Sequence, residues 1–471
     1  MLVGREYESD RLRSLLDSDK SEFVAVYGRR RVGKTYLIRE TFNYHFAFQH
    51  SGLSGGNMQQ QIDEFRNSMM LSGWKEKKRP ENWYDAFHQL AELLAVSKDD
   101  KKVVFIDEMP WMDTPRSNFI SALEHFWNGW ASARKDIILI VCGSATSWIM
   151  DKVILDHGGL HNRLTNRIFL QPFTLRECEQ MANLQGIVLS RKELLEIYMI
   201  MGGIPYYWSY LQRGMSMAQN IDRLFFNPKG ELYLEFDALY ASLFKNSQLH
   251  IAVVAALAGC KRGLSREEIL TTTSLTDNGK FDKALRDLEY CGFIRKYNMI
   301  DKKSKGALYQ LMDNYTLFYY HFIRNNKHND QHFWSNSQGK PIHLSWTGLG
   351  FERVCMQHVD QIKAALGISG VLTNVYSWRT VKTDEYPGVQ IDLLIDRSDN
   401  VINLCEAKFS ADYYTFVQED EADLLLRQSV FRLVTKTKKS IHPLLITTHG
   451  LTPNRYSGII QNVVTMDDLF K

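Results

Sequence analysis

The sequence predicts an α/β protein that begins with a parallel sheet wound with helices. Three short apolar runs, at 23–27, 103–106 and 137–142, support this prediction, and helical stretches such as 117–130 separate them. Strands of a parallel sheet are continuous apolar runs because helices cover both faces of the sheet. The alternation of such strands with helices therefore indicates an α/β fold class.

Composition places the chain among folded proteins with several domains. It has 471 residues, which suggests roughly three domains at the usual domain size. Hydrophobic residues make up 44% and charged residues 24%, as is ordinary for a folded protein. The net charge of +3 neither indicates nor excludes a nucleic-acid partner, because a basic patch can lie within a balanced total.

No feature of the sequence predicts a secreted or membrane protein. The opening residues lack the basic and then apolar pattern of a signal peptide. No apolar run approaches the about 20 residues that span a bilayer. The six cysteines form no CxxC pair, so we expect buried thiols in a reducing compartment, and the cytoplasm is the expected location.

A loop after the first strand fits the pattern GxxxxGK[ST] at every fixed position. It consists of Gly28, Arg29, Arg30, Arg31, Val32, Gly33, Lys34 and Thr35. In such a loop, backbone N–H groups and the positive end of a helix dipole surround phosphate groups. We expect Lys34 to reach the β and γ phosphates, Thr35 to ligate Mg²⁺, and Tyr36 to continue the site. The sequence therefore predicts that the chain binds ATP with Mg²⁺.

Polar residues that follow the other two strands complete the predicted site. Asp107 is expected in the shell of the magnesium ion, and Glu108 is expected to polarise the attacking water. Ser144 is a candidate sensor of the γ-phosphate. Arg163, with Arg167 as the alternative, is a candidate finger that neutralises charge in the transition state, although either could equally be a surface residue.

Four separated motifs within residues 1–240 resemble the archaeal-type ATPases, a branch of the AAA+-like group related to the signal-transduction ATPases. They are Val3-Gly4-Arg5-Glu6, Ile106-Asp107-Glu108, Cys142-Gly143-Ser144 and Gly203-Ile204-Pro205. The resemblance implies that Gly4, Arg5 and Pro205 line the pocket of the adenine base. Proline has a fixed φ and can form a rigid wall, although it can also simply end a helix.

Helical spacing dominates after Pro172, and a more polar stretch interrupts the chain at 325–343. The first observation predicts a small helical lid. The second stretch is rich in Asn, His, Gln and Ser, and it predicts a linker. The expected domains are a P-loop ATPase core over 1–171, a lid over 172–247, a winged helix over 248–322, a linker over 323–344, and an α/β domain over 345–471.

The winged helix is predicted from three helices followed by two strands. Ser265, with Glu268 three residues later, predicts a capping box at the second helix. Basic residues that could meet the phosphates of DNA occupy the third helix and the wing, namely Lys280, Lys283, Arg286, Lys302, Lys303 and Lys305. Acidic residues interleave with them, so the module could instead pack on the nucleotide domain.

The last domain contains carboxylates in a pattern that favours a metal site. Asp392 lies on one predicted strand, and Glu406 and Lys408 share one face of the next. A hairpin can bring these residues together, and Glu352 on a preceding helix can add a third carboxylate. Such a set can hold a divalent cation and orient a water molecule. A Glu-x-Lys pair alone usually means a solvated strand face.

The order of helix Glu, strand Asp and Glu-x-Lys over about 345–450 resembles the restriction-endonuclease-like fold. It is similar to a C-terminal domain of unknown function that is often joined to archaeal-type ATPases. Ile391 stands where that pattern often has proline. The resemblance implies Glu352, Asp392 and Glu406 as ligands of a second Mg²⁺ or Mn²⁺, with Lys408 as a catalytic residue.

These observations predict a magnesium-dependent ATPase coupled to a nuclease-like domain that binds or cuts DNA. A rival hypothesis is a nucleotide-switched signalling or scaffolding ATPase, which forms a homo-oligomer and whose C-terminal domain only binds a partner. A third is a DNA-binding regulator that relies on the winged helix. Nothing in the sequence decides which form of DNA is recognised.

Overall fold

A computed structural model describes residues 2–75, 78–144, 146–155, 159–160, 162–244, 246–298, 300, 307–326 and 330–471. The chain divides into two compact units, Met1–Pro172 and Phe173–Lys471. Among the described residues, no helix is long and apolar enough to cross a membrane.

The first unit alternates strands and helices, as the apolar pattern predicts. Its strands are β1 (Glu22–Tyr27), β2 (Phe48–Ser51), β3 (Lys102–Asp107), β4 (Ile137–Gly143) and β5 (Asn166–Phe169). Its helices are α1 (Glu6–Arg13), α2 (Lys34–Thr41), α3 (Met58–Leu71), α4 (Trp83–Val96), α5 (Phe119–Gly129) and the short α6 (Thr146–Ile149).

All five strands of the first unit run parallel, in the order β2-β3-β4-β1-β5. Strands β3 and β4 are buried along their whole length, and the core includes Phe65, Trp83 and Phe87 from helices α3 and α4. The predicted α/β class with a parallel sheet is confirmed for this unit. Because β4 lies between β3 and β1, the polar residues that follow these three strands meet at one edge of the sheet.

The second unit begins with helices and then forms a small sheet. The helices are α7 (Leu175–Leu184), α8 (Arg191–Met201), α9 (Pro205–Trp208), α10 (Met217–Ile221), α11 (Glu235–Leu243), α12 (Ser247–Ala258), α13 (Arg266–Thr273) and α14 (Gly279–Tyr290). Strands β6 (Leu264–Ser265), β7 (Ile294–Tyr297) and β8 (Leu308–Leu311) pair antiparallel in the order β6-β8-β7. The expected capping box at α13 is confirmed, because Glu268 N–H donates to Ser265 Oγ and Ser265 N–H donates to Glu268 Oε2.

A second five-stranded sheet follows after four more helices. These helices are α15 (Asn314–Phe318), α16 (Phe333–Ser337), α17 (Pro341–Gln357) and α18 (Val359–Ala365). The later elements are β9 (Thr373–Thr380), β10 (Val389–Arg397), β11 (Val401–Lys408), β12 (Tyr414–Thr415), α19 (Gln418–Thr435), β13 (Ser440–Thr447), β14 (Leu451–Thr452), β15 (Asn462–Thr465) and α20 (Met466–Leu469). The sheet order is β15-β13-β11-β10-β9, with β9, β10 and β11 antiparallel and β11, β13 and β15 parallel.

The segment predicted as a linker over 323–344 contains regular structure. It includes helix α16 and the beginning of α17. Trp334 is fully buried against Phe318 and Phe322, and its backbone N–H donates to the carboxylate of Asp222 at 2.7 Å. Composition predicted a linker because polar residues are numerous there, whereas the aromatic side chains of Phe333 and Trp334 anchor the segment to the unit.

The structure locates the helix that carries Glu352, but it does not describe the turn of the predicted wing. The helix that carries Glu352 begins at Pro341, because proline suits the first turn of a helix. The predicted wing residues Lys302, Lys303 and Lys305 lie outside the described residues.

Candidate functional site

The loop after β1 has the backbone conformation that a phosphate cradle requires. Gly28 has φ +140° and Gly33 has φ +89°, and both angles favour glycine. A Cβ atom on Gly28 would lie 2.3 Å from the carbonyl oxygen of Leu170, so no side chain fits there. Helix α2 starts directly after Gly33, which has no side chain that could cap the first N–H groups. The first turn of α2 therefore presents backbone donors beside the loop.

Some side chains of the loop are buried, and others are exposed to solvent. Val32 is buried, so only its backbone can face a ligand. Arg29 is buried, Arg30 and Arg31 are half-buried, and Tyr36 is exposed on the first turn of α2. The predicted loop residues thus contribute to a site mainly through their main chain.

Lys34 and Thr35 are both held by hydrogen bonds at the loop. The buried Lys34 ammonium donates to the carbonyl oxygens of Gly28 at 2.9 Å and Arg29 at 2.8 Å. Thr35 Oγ1 donates to Asp107 Oδ2 at 2.7 Å, although the two residues are 72 positions apart. A hydroxyl and a carboxylate in contact are the hard oxygen donors that Mg²⁺ prefers, so these residues fit that ion.

Glu108 and Ser144 form a second contact at the same edge of the sheet. Ser144 donates to Glu108 Oε2 through its hydroxyl at 2.9 Å and through its backbone N–H at 3.2 Å. Glu108 has φ +44°, a left-handed conformation that costs a non-glycine residue about 1–2 kcal/mol. Strain of this kind persists where the surrounding structure fixes a residue, and it is frequent at functional sites.

The environment of this edge is buried. Asp107 is 6% exposed, and its Oδ1 also accepts from the backbone N–H of Glu108 at 2.9 Å. Burial, with the charge of Asp107 nearby, holds the pKa of the Cys142 thiol well above its ordinary range. Cys142 therefore stays a protonated packing residue of β4.

The residues implied by resemblance lie in two parts of the chain. Gly4 and Arg5 precede α1 with φ values of +59° and +64°, and Arg5 Nη2 donates to the carbonyl oxygen of Gln171 at 2.6 Å. Pro205 belongs to the second unit, where it begins α9. Arg163 and Arg167 are exposed, before and within β5.

Sequence reasoning missed the role of the segment that follows β5. Leu170 limits the space at Gly28, and Gln171 holds Arg5, so this short segment touches both predicted nucleotide elements of the first unit. Neither residue carries a recognisable motif. Only the parallel pairing of β5 with β1 places them beside the loop.

In the second unit, the predicted carboxylates line one small cavity. Glu352, Asp392 and Glu406 border a space of about 20 Å³, enough for one water molecule or ion. The register of the antiparallel pair β10–β11 sets Leu393 opposite Cys405, so Asp392 and Glu406 continue the pairing as neighbours. The predicted convergence of helix α17 with these two strands is thus present.

Crowding of these acids changes the proton affinity of Glu352. Burial, with the charges of Asp392 and Glu406, raises its pKa to about 7, against the opposing charges of Lys261 and Arg353. Lys261 is a neighbour that sequence reasoning missed, because it comes from the loop after α12. Glu352 therefore holds a proton at slightly acid pH.

Lys408 makes ion pairs within the cluster. Its ammonium lies 3.1 Å from Glu406 Oε1 and 3.6 Å from Asp420 Oδ1. Arg427 lies 2.6 Å from the other oxygen of Glu406. Burial lowers the pKa of Lys408, but Glu406, Tyr414 and Asp420 together outweigh this effect, and the pKa lies above its ordinary value.

These contacts correct the expected arrangement of three metal ligands. Within the described part of the chain, no group of three or more His, Cys, Asp or Glu side chains is arranged to hold a metal ion. Both oxygens of Glu406 face cations, because Arg427 approaches from α19 and Lys408 from its own strand. Glu352 and Asp392 remain the carboxylates of the cavity, and Asp392 Oδ1 accepts from Gln390 Nε2 at 2.5 Å.

The chain is similar to several known proteins. An uncharacterised protein of Methanocaldococcus jannaschii is 24% identical over 373 residues, which are 77% of this chain and 78% of that protein. A Walker-type ATPase of Pyrococcus abyssi is 16% identical with a TM-score of 0.47, covering 68% of this chain and 96% of that one. The ORC2 protein of Aeropyrum pernix, solved in ADPNP–ADP complexes, is 14% identical with a TM-score of 0.42, covering 68% and 93%.

Residues 2–211 match the family model described as an ATPase domain predominantly from Archaea. This range includes the loop at 28–35, the Asp107–Glu108 pair and Ser144. Over this range the chain is similar to archaeal-type ATPase domains.

Proposed function

We propose that the first unit binds and hydrolyses ATP with Mg²⁺. The observation that carries this proposal is the pair of contacts Thr35–Asp107 and Glu108–Ser144 beside the loop. Backbone N–H groups of the loop and of α2 bind the phosphates, and the Lys34 ammonium exchanges its carbonyl partners for phosphate oxygens. Thr35 and Asp107 would hold Mg²⁺, which neutralises phosphate charge.

Glu108 has the position of the base that orients the attacking water. A carboxylate at a strand end, fixed by two donors from the next strand, keeps a defined direction. Ser144 positions Glu108. The roles of Gly4, Arg5 and Pro205 at the adenine base, and of Arg163 as a finger, are further proposals that rest on resemblance.

Two variants test the ATPase proposal separately for binding and for turnover. Calorimetry with Mg-ATP should show affinity reduced at least about tenfold in Lys34→Ala, because a charged contact contributes about 1.5–3 kcal/mol. Glu108→Gln should retain binding while turnover falls about 10²- to 10⁴-fold. Lys98→Ala and Glu92→Gln, both at exposed positions, are the matched controls. If calorimetry detects no heat when Mg-ATP is added to the wild type, the proposal is wrong.

We further propose that the cavity of Glu352 and Asp392 binds a divalent cation and that the C-terminal domain cuts DNA. The specific observation is the small cavity that Glu352 and Asp392 line. Burial and the neighbouring carboxylates raise the pKa of Glu352 there to about 7, and a bound cation would offset this cost of ionisation. The oxygen donors suit Mg²⁺ or Mn²⁺. Displacement of Lys408 from Glu406 would bring a third carboxylate into the site.

A metal titration followed by a nuclease assay tests this second proposal. Mn²⁺ should raise the Tm of the wild type at pH 8, and Glu352→Gln and Asp392→Asn should each remove that increase. The exposed Glu419→Gln is the control. The same two variants should lose cleavage of DNA, with and without ATP. If wild type and variants show the same cleavage, or none, on all DNA forms, the result favours the rival hypothesis. In that hypothesis Lys408 closes the site, and the domain only binds a partner.

A further inference from the structure

A basic groove lies beside the carboxylate cavity in the second unit. Its volume is about 630 Å³, the size of a site for a small ligand or a few nucleotides. One wall comes from Arg262 and Glu268, around β6 and α13. The other comes from the end of β9 and the start of β10, including Arg379, Lys382 and Gln390. Two parts of the chain more than a hundred residues apart thus form one groove.

The groove carries an excess of positive charge. Glu268 is neutralised by Arg379, whose Nη2 lies 3.0 Å from Glu268 Oε2. Arg262 and Lys382 are exposed, and within the described residues neither side chain forms an ion pair. Three cations therefore face one carboxylate, and two of them are available to an anion.

The groove leads to the carboxylates through β10. Gln390 lines the groove, and its amide donates to Asp392 Oδ1 in the neighbouring cavity. On the other wall, Lys261 precedes Arg262, and its positive charge acts on Glu352. A strand lying in the groove would therefore reach the carboxylates at one end.

Buried hydrogen bonds fix the loop that supplies Lys261 and Arg262. Arg353 on α17 and Gln310 on β8 each donate to the carbonyl oxygen of Lys261 at 2.8 Å. Arg295 on β7 donates to Ser377 Oγ on β9 at 2.6 Å. A groove with walls held in this way loses little freedom when it binds a ligand.

We propose that this groove binds the sugar–phosphate backbone of one nucleic-acid strand, with Arg262 and Lys382 contacting its phosphates. The proposal rests on the proposed nuclease function of the neighbouring cavity and names where its substrate lies. The volume fits a few nucleotides of one strand. Arginine and lysine on opposite walls match a chain of phosphates, which sequence-independent binding requires.

Fluorescence anisotropy with a short labelled oligothymidylate tests the groove in the full chain. The measurement is made in EDTA, so that it does not depend on metal binding or cleavage. Arg262→Glu with Lys382→Glu should weaken binding at least tenfold and lower the salt dependence of log K by about 1.4, since each phosphate contact on a single strand contributes about 0.7. Arg432→Glu with Lys438→Glu, exposed elsewhere in the same unit, makes the same change of net charge.

The outcomes separate the groove from the cleavage chemistry. Equal loss of affinity in both double variants overturns the proposal, because net charge alone would then explain it. Arg262→Lys should retain binding, because it keeps the charge. A Tm of the double variant equal to that of the wild type excludes misfolding as the cause of the loss. If Glu352→Gln abolishes cleavage but binds the oligonucleotide as the wild type does, the groove is supported. If neither the wild type nor Glu352→Gln cleaves the oligonucleotide but the groove variants still lose binding, only the nuclease proposal fails. Tighter binding of duplex DNA through the same residues overturns the assignment to one strand.

Discussion

Replacing Glu352 by glutamine should change how the stability of the second unit depends on pH. In the folded protein its pKa is about 7, compared with an ordinary 4.5. Below pH 4.5 the carboxyl is protonated in the folded and unfolded chains, and it contributes no pH dependence. Between 4.5 and 7 the unfolded chain releases the proton first, so stability falls as pH rises. Above pH 7 the full cost is about 3 kcal/mol.

Glutamine has no proton to lose, so Glu352→Gln removes this pH dependence. The difference in unfolding free energy between variant and wild type should therefore increase by about 3 kcal/mol, in favour of the variant, from pH 4 to pH 8. For a unit of this size that amount corresponds to about 5 °C in Tm. Urea titrations at several pH values measure it, with the exposed Glu419→Gln as control. A difference that stays constant over this pH range would refute the raised pKa that burial and the charges of Asp392 and Glu406 give to Glu352.

Three further results should be measurable. Gly28→Ala should unfold at lower temperature than Gly33→Ala. The new Cβ at position 28 would lie 2.3 Å from the carbonyl oxygen of Leu170, whereas a Cβ at position 33 has no neighbour within 4 Å. Equal Tm values would contradict the close approach at Gly28. Ser144→Ala should leave the affinity for Mg-ATP unchanged and lower kcat about tenfold, because Glu108 loses one charged hydrogen bond. An unchanged kcat would show that Ser144 does not position Glu108. Arg427→Ala should lower Tm, because Glu406 and Asp423 both lose their ion pairs with this side chain. An unchanged Tm would show that these ion pairs do not stabilise the folded unit.

The part of the fold that the sequence predicts well depends on local patterns. Strands β1, β3 and β4 lie within one residue of the apolar runs that predict them. The capping box of α13 was read from Ser265 and Glu268 alone. The linker prediction was less successful, because the burial of Trp334 is a property of its distant partners and not of its polar neighbours.

The sequence by itself determined the phosphate loop, since GxxxxGKT fixes the residue types that a turn with positive φ and a following helix need. It also supplied the carboxylates that follow the strands. Only the tertiary structure decided their partners: the strand order places β4 between β3 and β1, so Ser144 meets Glu108 and Thr35 meets Asp107. In the second unit, packing brought Arg427 to Glu406 and Lys261 near Glu352, which no local spacing encodes. Hydrogen bonds and charges act over a few ångströms, and residues distant in sequence come within that range only when the chain is folded.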